Sequence, residues 1–293
     1  MKRACAIVSY RPPPDLVERV RQYAQILDLV VVADNDPPGL LPLRHDLLQI
    51  PGVVLIENPE NLGQATALNQ AIRLAGDRGC AWTLALDQDT PADEAFIRRM
   101  LLALEGYDDP ASLAVLAPLY FDDSQCDLRF DGRRHKYGSY SYASSAPLSG
   151  NFLNHAIFRQ VGGFRDDFFI DWVDHEYCLR CRAKGFDVVI THDAVLTHRI
   201  GSPRARGFAG YRRVTSNYPP LRKYYNARNR VRTILAYRRL FPGLGRRETR
   251  RFLNMIKKTF LVEPHRARGL AMILRGVIDG FRGRMGRFTD SAR

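Results

Sequence analysis

The sequence predicts an α/β fold: a mostly parallel sheet flanked by helices, with a C-terminal basic helical extension. Three observations predict it. Short apolar runs alternate with helix-length amphipathic stretches through the first half of the 293 residues. Several of these runs close on Ser, Asn or Asp, where an open parallel sheet binds its ligands. Charge is also unevenly spread: residues 221–293 hold 20 of the 44 Lys and Arg and 4 of the 31 Asp and Glu, net +16, which leaves residues 1–220 at −3.

The elements follow in order. Ala4 to Tyr10, Leu29 to Asn35, Val53 to Glu57, Trp82 to Asp87 and Leu113 to Leu119 read as strands, apolar enough to be buried on both faces. Asp15 to Leu27, Gly63 to Ala75 and Asp93 to Leu104 read as helices between them. From Asp122 to Pro147 the chain turns polar, with Arg133-Arg134-His135-Lys136 before a Ser/Tyr-rich run, and reads as a long loop or irregular insertion. A helix is expected from near Asp171 to Gly185, then two short strands, Asp187 to Ile190 and Ala194 to Thr197. The tail shows three helical faces: Tyr224, Val231, Ile234, Leu235 and Phe241; Phe252, Ile256 and Phe260; Leu270, Ile273, Leu274, Val277, Ile278 and Phe281. The expected organisation is one domain with halves 1–121 and 122–210, followed by the tail 211–293.

Composition excludes several classes. With 45% hydrophobic residues the chain is neither a disordered tail nor a small disulfide scaffold. No apolar run reaches the roughly 18 residues of a membrane span, and Ala4 to Val8 is too short for a signal-peptide core, so a cytoplasmic location is expected. The cysteines at 5, 80, 126, 178 and 181 are scattered and read as reduced thiols. Cys178 and Cys181 form a C-x-x-C without the second Cys/His pair of a zinc site, and are expected in a helix core.

Candidate chemistry concentrates where strands end. Asp87-Gln88-Asp89 follows an apolar run, and carboxylates so placed suit a hard divalent cation shared with a diphosphate, or else a turn that caps the next helix. Ser9 and Asp34 close two other strands and could hydrogen-bond a nucleobase and ribose. Asn61-Leu62-Gly63, with Asn69 beyond, supplies a helix entry of small residues. Phe168 to Glu176 sets Asp171, Asp174 and Glu176 among Phe168, Phe169 and Trp172. A partly desolvated carboxylate there could accept a proton from a hydroxyl nucleophile. His198 ends an apolar run and could meet a metal or a phosphate.

Taken together, these pieces resemble the inverting nucleotide-sugar glycosyltransferases of the GT-A fold. The likeness is carried by Ile7 to Tyr10, Val30 to Asn35, Asn61 to Asn69, Asp87 to Asp89, Ser149-Gly150-Asn151, Gly162-Gly163-Phe164, Phe168 to Arg180 and His198. Within that family the Asp87-Gln88-Asp89-Thr90 and Phe169 to Asp174 runs look most like bacterial rhamnosyltransferases. The resemblance implies donor contacts from Ser9, Tyr10, Asp34, Asn61, Gly63, Asn69, Asp87 and Gln88. It implies a Mg2+ or Mn2+ ion at Asp89 and His198, Asp174 as catalytic base, and Gly150, Asn151, Asp171, Trp172 and Glu176 on the acceptor side. Many relatives carry Glu-Asp where this chain has Val173-Asp174, so the base rests on Asp174 alone.

The likeness also implies dTDP-rhamnose as donor, with UDP-hexoses next, and inversion at the anomeric carbon. The Gln-x-x-Arg-Trp signature of processive polymerases is absent, the tryptophans being Trp82 and Trp172, so one sugar per encounter is expected. Acceptors in such families are lipid-linked glycans of cell-surface polysaccharide synthesis. The basic helices of 221–293 suit an anionic membrane surface, here the inner face of the bacterial cytoplasmic membrane, at about 1 kcal/mol per nearby cation. The alternative of another class is nucleic-acid binding through the same tail; the acidic body and the lack of a recognised motif argue against it.

Overall fold

The computed structural model describes residues 1–37, 43–122, 127–129, 132–134, 138–198, 204–208, 211–215 and 217–289. Cys126, His135, Lys136 and Arg199 to Gly201 lie outside them, as do the side chains of Arg133, Arg134 and His198.

Strands and helices alternate as expected: β1 (Lys2–Ser9), α1 (Leu16–Ala24), β2 (Leu29–Asp34), α2 (Arg44–Leu48), β3 (Val53–Glu57), α3 (Gln64–Asp77), β4 (Cys80–Asp87), α4 (Glu94–Glu105) and β5 (Leu113–Asp122). They continue as β6 (Asp127–Arg129), β7 (Gly132–Arg134), β8 (Tyr140–Ala143), β9 (Asn151–Asn154), α5 (His155–Val161), α6 (Val173–Ala183) and β10 (Asp187–His198). One sheet runs in the order β3-β2-β1-β4-β9-β5-β10-β8-β7, with β6 on β5. Its first four strands are parallel; β9 enters antiparallel to β4 and β5. Ile7, Val30, Val32, Leu84, Leu116 and Phe152 are buried in its core, against Val20 of α1 and Ile97 and Met100 of α4.

Two expectations change here. The described parts of 122–147 include three short strands, β6, β7 and β8, where a loop or irregular insertion is expected from the sequence. The reason is tertiary pairing rather than local pattern: β8 pairs antiparallel with β10 through Val189, Ile190 and Thr191, and Tyr140, Ser141 and Ala143 are buried with only Tyr142 exposed. The two short strands after α6 are one strand, β10. His192 and Asp193 do not break it, because the His192 N–H donates to the Ser139 carbonyl at 2.8 Å and the Asp193 N–H to the Thr191 hydroxyl at 3.2 Å.

The chain divides into two compact units, one of residues 1–121, 128–165 and 174–198 and one of 122–127, 166–173 and 199–293. In the second lie the hairpin β11 (Arg204–Phe208) and β12 (Tyr211–Thr215) and the helices α7 (Pro220–Tyr237), α8 (Leu244–Val262) and α9 (Arg266–Arg282). Residues 166–173 fold with these basic helices. The buried Arg228 guanidinium donates to the carbonyls of Asp167, Phe168 and Gly286 at 2.5–3.0 Å. The Asn229 amide donates to the carbonyls of Phe168, Ile170 and Asp171 at 2.8–2.9 Å. Phe169, Asp171 and Trp172 all have φ near +65°, a region costly for residues with a Cβ and sustained only by surrounding contacts. The helix expected from Asp171 therefore begins at Val173.

Candidate active site

Parallel pairing sets three predicted residues at one end of the sheet. Ser9 lies beside Asp34, and Val8 beside Asp87, so the carboxyl ends of β1, β2 and β4 coincide. Ser9 and Asp34 are buried, and desolvation raises the Asp34 carboxyl above its ordinary range, opposed by the Asp36 N–H that it accepts at 3.2 Å. The entry to α3 comes to the same end. The Asn61 side chain accepts the Gly63 N–H at 2.9 Å, the Asn35 amide donates to the Gly63 carbonyl, and Gln64 donates to Asp87 Oδ1 at 3.2 Å. Gly63 itself is buried with φ +87°, a positive-φ conformation that a glycine adopts without cost.

Beyond β4, the Gln88 amide accepts the Tyr10 N–H at 2.8 Å and donates to the Tyr10 carbonyl at 2.9 Å. This pair copies a strand ladder with a side chain, so the Gln88 amide splices the end of β4 to that of β1. Tyr10 keeps its ring exposed. Asp89 projects into solvent past the strand.

The segment 147–151 connects this end to the predicted base. The Leu148 N–H donates to Asp174 Oδ2 at 3.0 Å, while the Ser149 hydroxyl accepts the Asp87 N–H at 3.0 Å and lies 2.8 Å from the Thr90 hydroxyl. A second oxygen of Asp174 accepts the His175 N–H at the start of α6. Gly150 has φ +88° and an N–H 2.7 Å from the Ala85 carbonyl; an added Cβ would meet Leu196 at 2.8 Å. Beneath the segment, the Tyr120 hydroxyl lies 2.7–2.8 Å from the carbonyls of Pro147 and Ser149 and from Asn151 Oδ1. Burial, with the nearby carboxylates of Asp174 and Asp87, holds this phenol protonated far above its usual range. Two carboxylates 87 positions apart in the chain thus act on one buried hydroxyl.

Comparison with known proteins shows the family. Residues 7–165 match the profile of Glycosyl transferase family 2. Over 238 residues the chain is 30% identical to "dTDP-rhamnosyl transferase RfbF" of Shigella flexneri, covering 76% of each protein. The protein is a member of glycosyl transferase family 2. Solved glycosyltransferases share its fold. A structure of S. aureus TarS 1-349 aligns with a TM-score of 0.55 at 10% identity, covering 100% of this chain and 98% of that one. A structure of GalNAc-T7 with UDP, GalNAc and Mn2+ aligns with a TM-score of 0.54 at 11% identity; it covers 80% of this chain, which spans 47% of that one. Such likeness places the sheet in the GT-A class.

Other predicted residues of this family member make contacts within the fold. The Asn69 amide bonds both the N–H and the carbonyl of Phe164 at 2.8 Å. Asn151 donates to Pro147 as well as accepting from Tyr120. Glu176 is buried and paired with Arg180 at 2.8 Å, and Arg180 also donates to the Gly162 and Gly163 carbonyls. In the second unit Asp171 is paired with Arg222 at 3.2 Å, and Trp172 is buried under the Arg230 guanidinium. Cys178 and Cys181 are buried; burial drives the Cys178 thiol far up and Cys181 to about 12. Sequence reasoning missed Tyr120, Thr90, Leu148 and Asn229. Tyr120 sits one residue past the apolar run Leu113 to Leu119 and Thr90 closes the Asp87 to Thr90 run, though neither carries an expected site role; nothing local marks Leu148 or Asn229.

Among the described residues, no three His, Cys, Asp or Glu form a cage that could hold a metal by itself. A cation carried on a diphosphate needs only one or two carboxylates from the protein. Asp89, exposed just past the end of β4, is a hard oxygen donor of that kind.

Proposed function

We propose that this protein transfers rhamnose from dTDP-rhamnose to a lipid-linked glycan acceptor with inversion at the anomeric carbon. The observation that carries the reading is the 147–151 segment, bonded at adjacent residues to Asp174 and to the Asp87 strand end. The rhamnosyl donor is supported by the name of the Shigella relative and by Asp87-Gln88-Asp89-Thr90.

The chain's own groups have distinct tasks. Ser9, Tyr10 and Asp34 line the strand ends for the base and ribose, with Asn61 and Gly63 beside them. Asp87, oriented by Gln64 and Ser149, faces the donor sugar and diphosphate. Asp174, aimed by two N–H donors, accepts the proton of the acceptor hydroxyl as its oxygen attacks the anomeric carbon opposite the leaving diphosphate. When bound, Mg2+ or Mn2+ supplies charge stabilisation for the leaving diphosphate, and Asp89 with His198 are the residues that would hold it. The +16 of residues 221–293 favours a place at the anionic inner face of a bacterial membrane, where lipid-linked acceptors of surface polysaccharides are found.

A panel of nucleotide sugars, with and without Mg2+ or Mn2+, tests the donor by thermal stabilisation. At a hundredfold excess over Kd a donor adds about 2.7 kcal/mol. Stabilisation by dTDP-rhamnose in the presence of the metal is expected. Stabilisation by a UDP-hexose instead moves the donor assignment, and none by any nucleotide sugar overturns the transfer reading.

A further inference from the structure

Helix α9 turns three glycines inward and several of its large apolar residues outward. Gly269, Ile273, Gly276, Asp279 and Gly280 form its buried face. Gly276 and Gly280 lie so close to α7 that an added Cβ would overlap the Tyr224 carbonyl in one case and lie 2.8 Å from the Arg228 carbonyl in the other. Leu274, Ile278 and Phe281 are 62%, 40% and 64% exposed. With half-buried Leu270 and Val277 they recur every three or four residues, one stripe along about 16 Å of helix. Such a contiguous apolar stripe on a protein surface marks a binding face.

What surrounds the stripe defines its partner. Arg266, Arg268, Arg282 and Arg284 are exposed at its two ends. At the end of α8, Phe260 and Leu261 are also exposed, with the Arg266 guanidinium 6.0 Å from the Phe260 ring. A second copy of the chain would bring its own cations against these, and a nucleic acid would leave the apolar stripe in water. An anionic bilayer satisfies both parts: headgroups meet the arginines, and the acyl boundary takes the stripe. Among the described residues no helix is long and apolar enough to cross a membrane. A helix lying in the interface plane needs no such length.

We infer that Leu274, Ile278 and Phe281 of α9 form a shallow insertion face that docks the protein on an anionic phospholipid surface. This deepens the membrane placement proposed above and rests on it, while being independent of the transfer chemistry, since docking is read without turnover.

The test is flotation of the full-length protein with vesicles of phosphatidylethanolamine and phosphatidylglycerol, against vesicles of phosphatidylcholine. The wild type should float with the anionic vesicles only, and the triple variant Leu274→Ser, Ile278→Ser, Phe281→Ser should bind at least tenfold more weakly with its thermal transition and its donor binding unchanged. Phe281→Trp should show blue-shifted emission on binding. Absence of wild-type flotation overturns both the face and the membrane placement. Flotation of the triple variant like wild type overturns the face alone, leaving charge as the attraction. A dimer that the triple variant dissociates, or oligonucleotide binding without flotation, also overturns it.

Discussion

The backbone N–H of Leu148 donates to the Asp174 carboxylate at 3.0 Å, and the very next residue, Ser149, holds the end of β4 through the Asp87 N–H. One short segment therefore sets the aim of the predicted base relative to the donor-side strand ends.

Asp174→Asn leaves an oxygen for the Leu148 N–H but removes the proton acceptor. Transfer should fall by about 10²–10⁴-fold, while calorimetry finds donor binding unchanged. Turnover near the wild-type rate would take Asp174 out of its role.

Ser149→Ala strips a buried hydroxyl from the Asp87 N–H and from Thr90. Leaving those groups unpaired should cost about 1–3 kcal/mol of stability and weaken donor binding. Denaturant melts and donor titration measure the two effects, and a variant indistinguishable from wild type in both would show that the segment carries no such load.

Asn229→Ala removes the donors that brace three carbonyls of a loop with left-handed Phe169, Asp171 and Trp172. A stability loss on the order of 3 kcal/mol is expected. Amide hydrogen exchange should quicken in residues 168–173 above all. Asn229→Asp should not rescue it, because a carboxylate has no N–H to donate.

His155 gives a pH signature. Its Nε2 lies 2.6 Å from the Thr83 hydroxyl in the sheet core, and burial, with Arg159 second, lowers its pKa from 6.5 to about 4. The unfolded chain takes up this proton first, so stability should fall as pH drops from about 6.5 to 4, by about 3 kcal/mol in total. Melting curves of His155→Gln should lose that part of the slope; an identical slope would assign it to other groups.

Much of the first 120 residues was legible because burial on both faces leaves continuous apolar runs, as in β2, and because Ser9, Asp34 and Asp87 interrupt those runs where the strands end. The insertion was not legible. Tyr140 to Ala143 carries no alternating pattern to set it apart from its polar neighbours, and β8 exists because β10 offers it partners. Gln88 and Asn69 looked like ligand contacts because their type and place allowed it; only coordinates reveal amides already bonded to backbone.

The sequence by itself determined the alternation of strands and helices, the acidic residues at the strand ends and the cationic tail, since each depends on periodicity or composition within a few residues. The tertiary structure alone decided that Leu148 and Ser149 join Asp174 to Asp87, that Asn229 braces the loop at 168–172, and that α9 faces Leu274, Ile278 and Phe281 outward. Those outcomes depend on which backbones approach closely enough to share hydrogen bonds or exclude a Cβ, and that distance is set by packing between segments far apart in the chain.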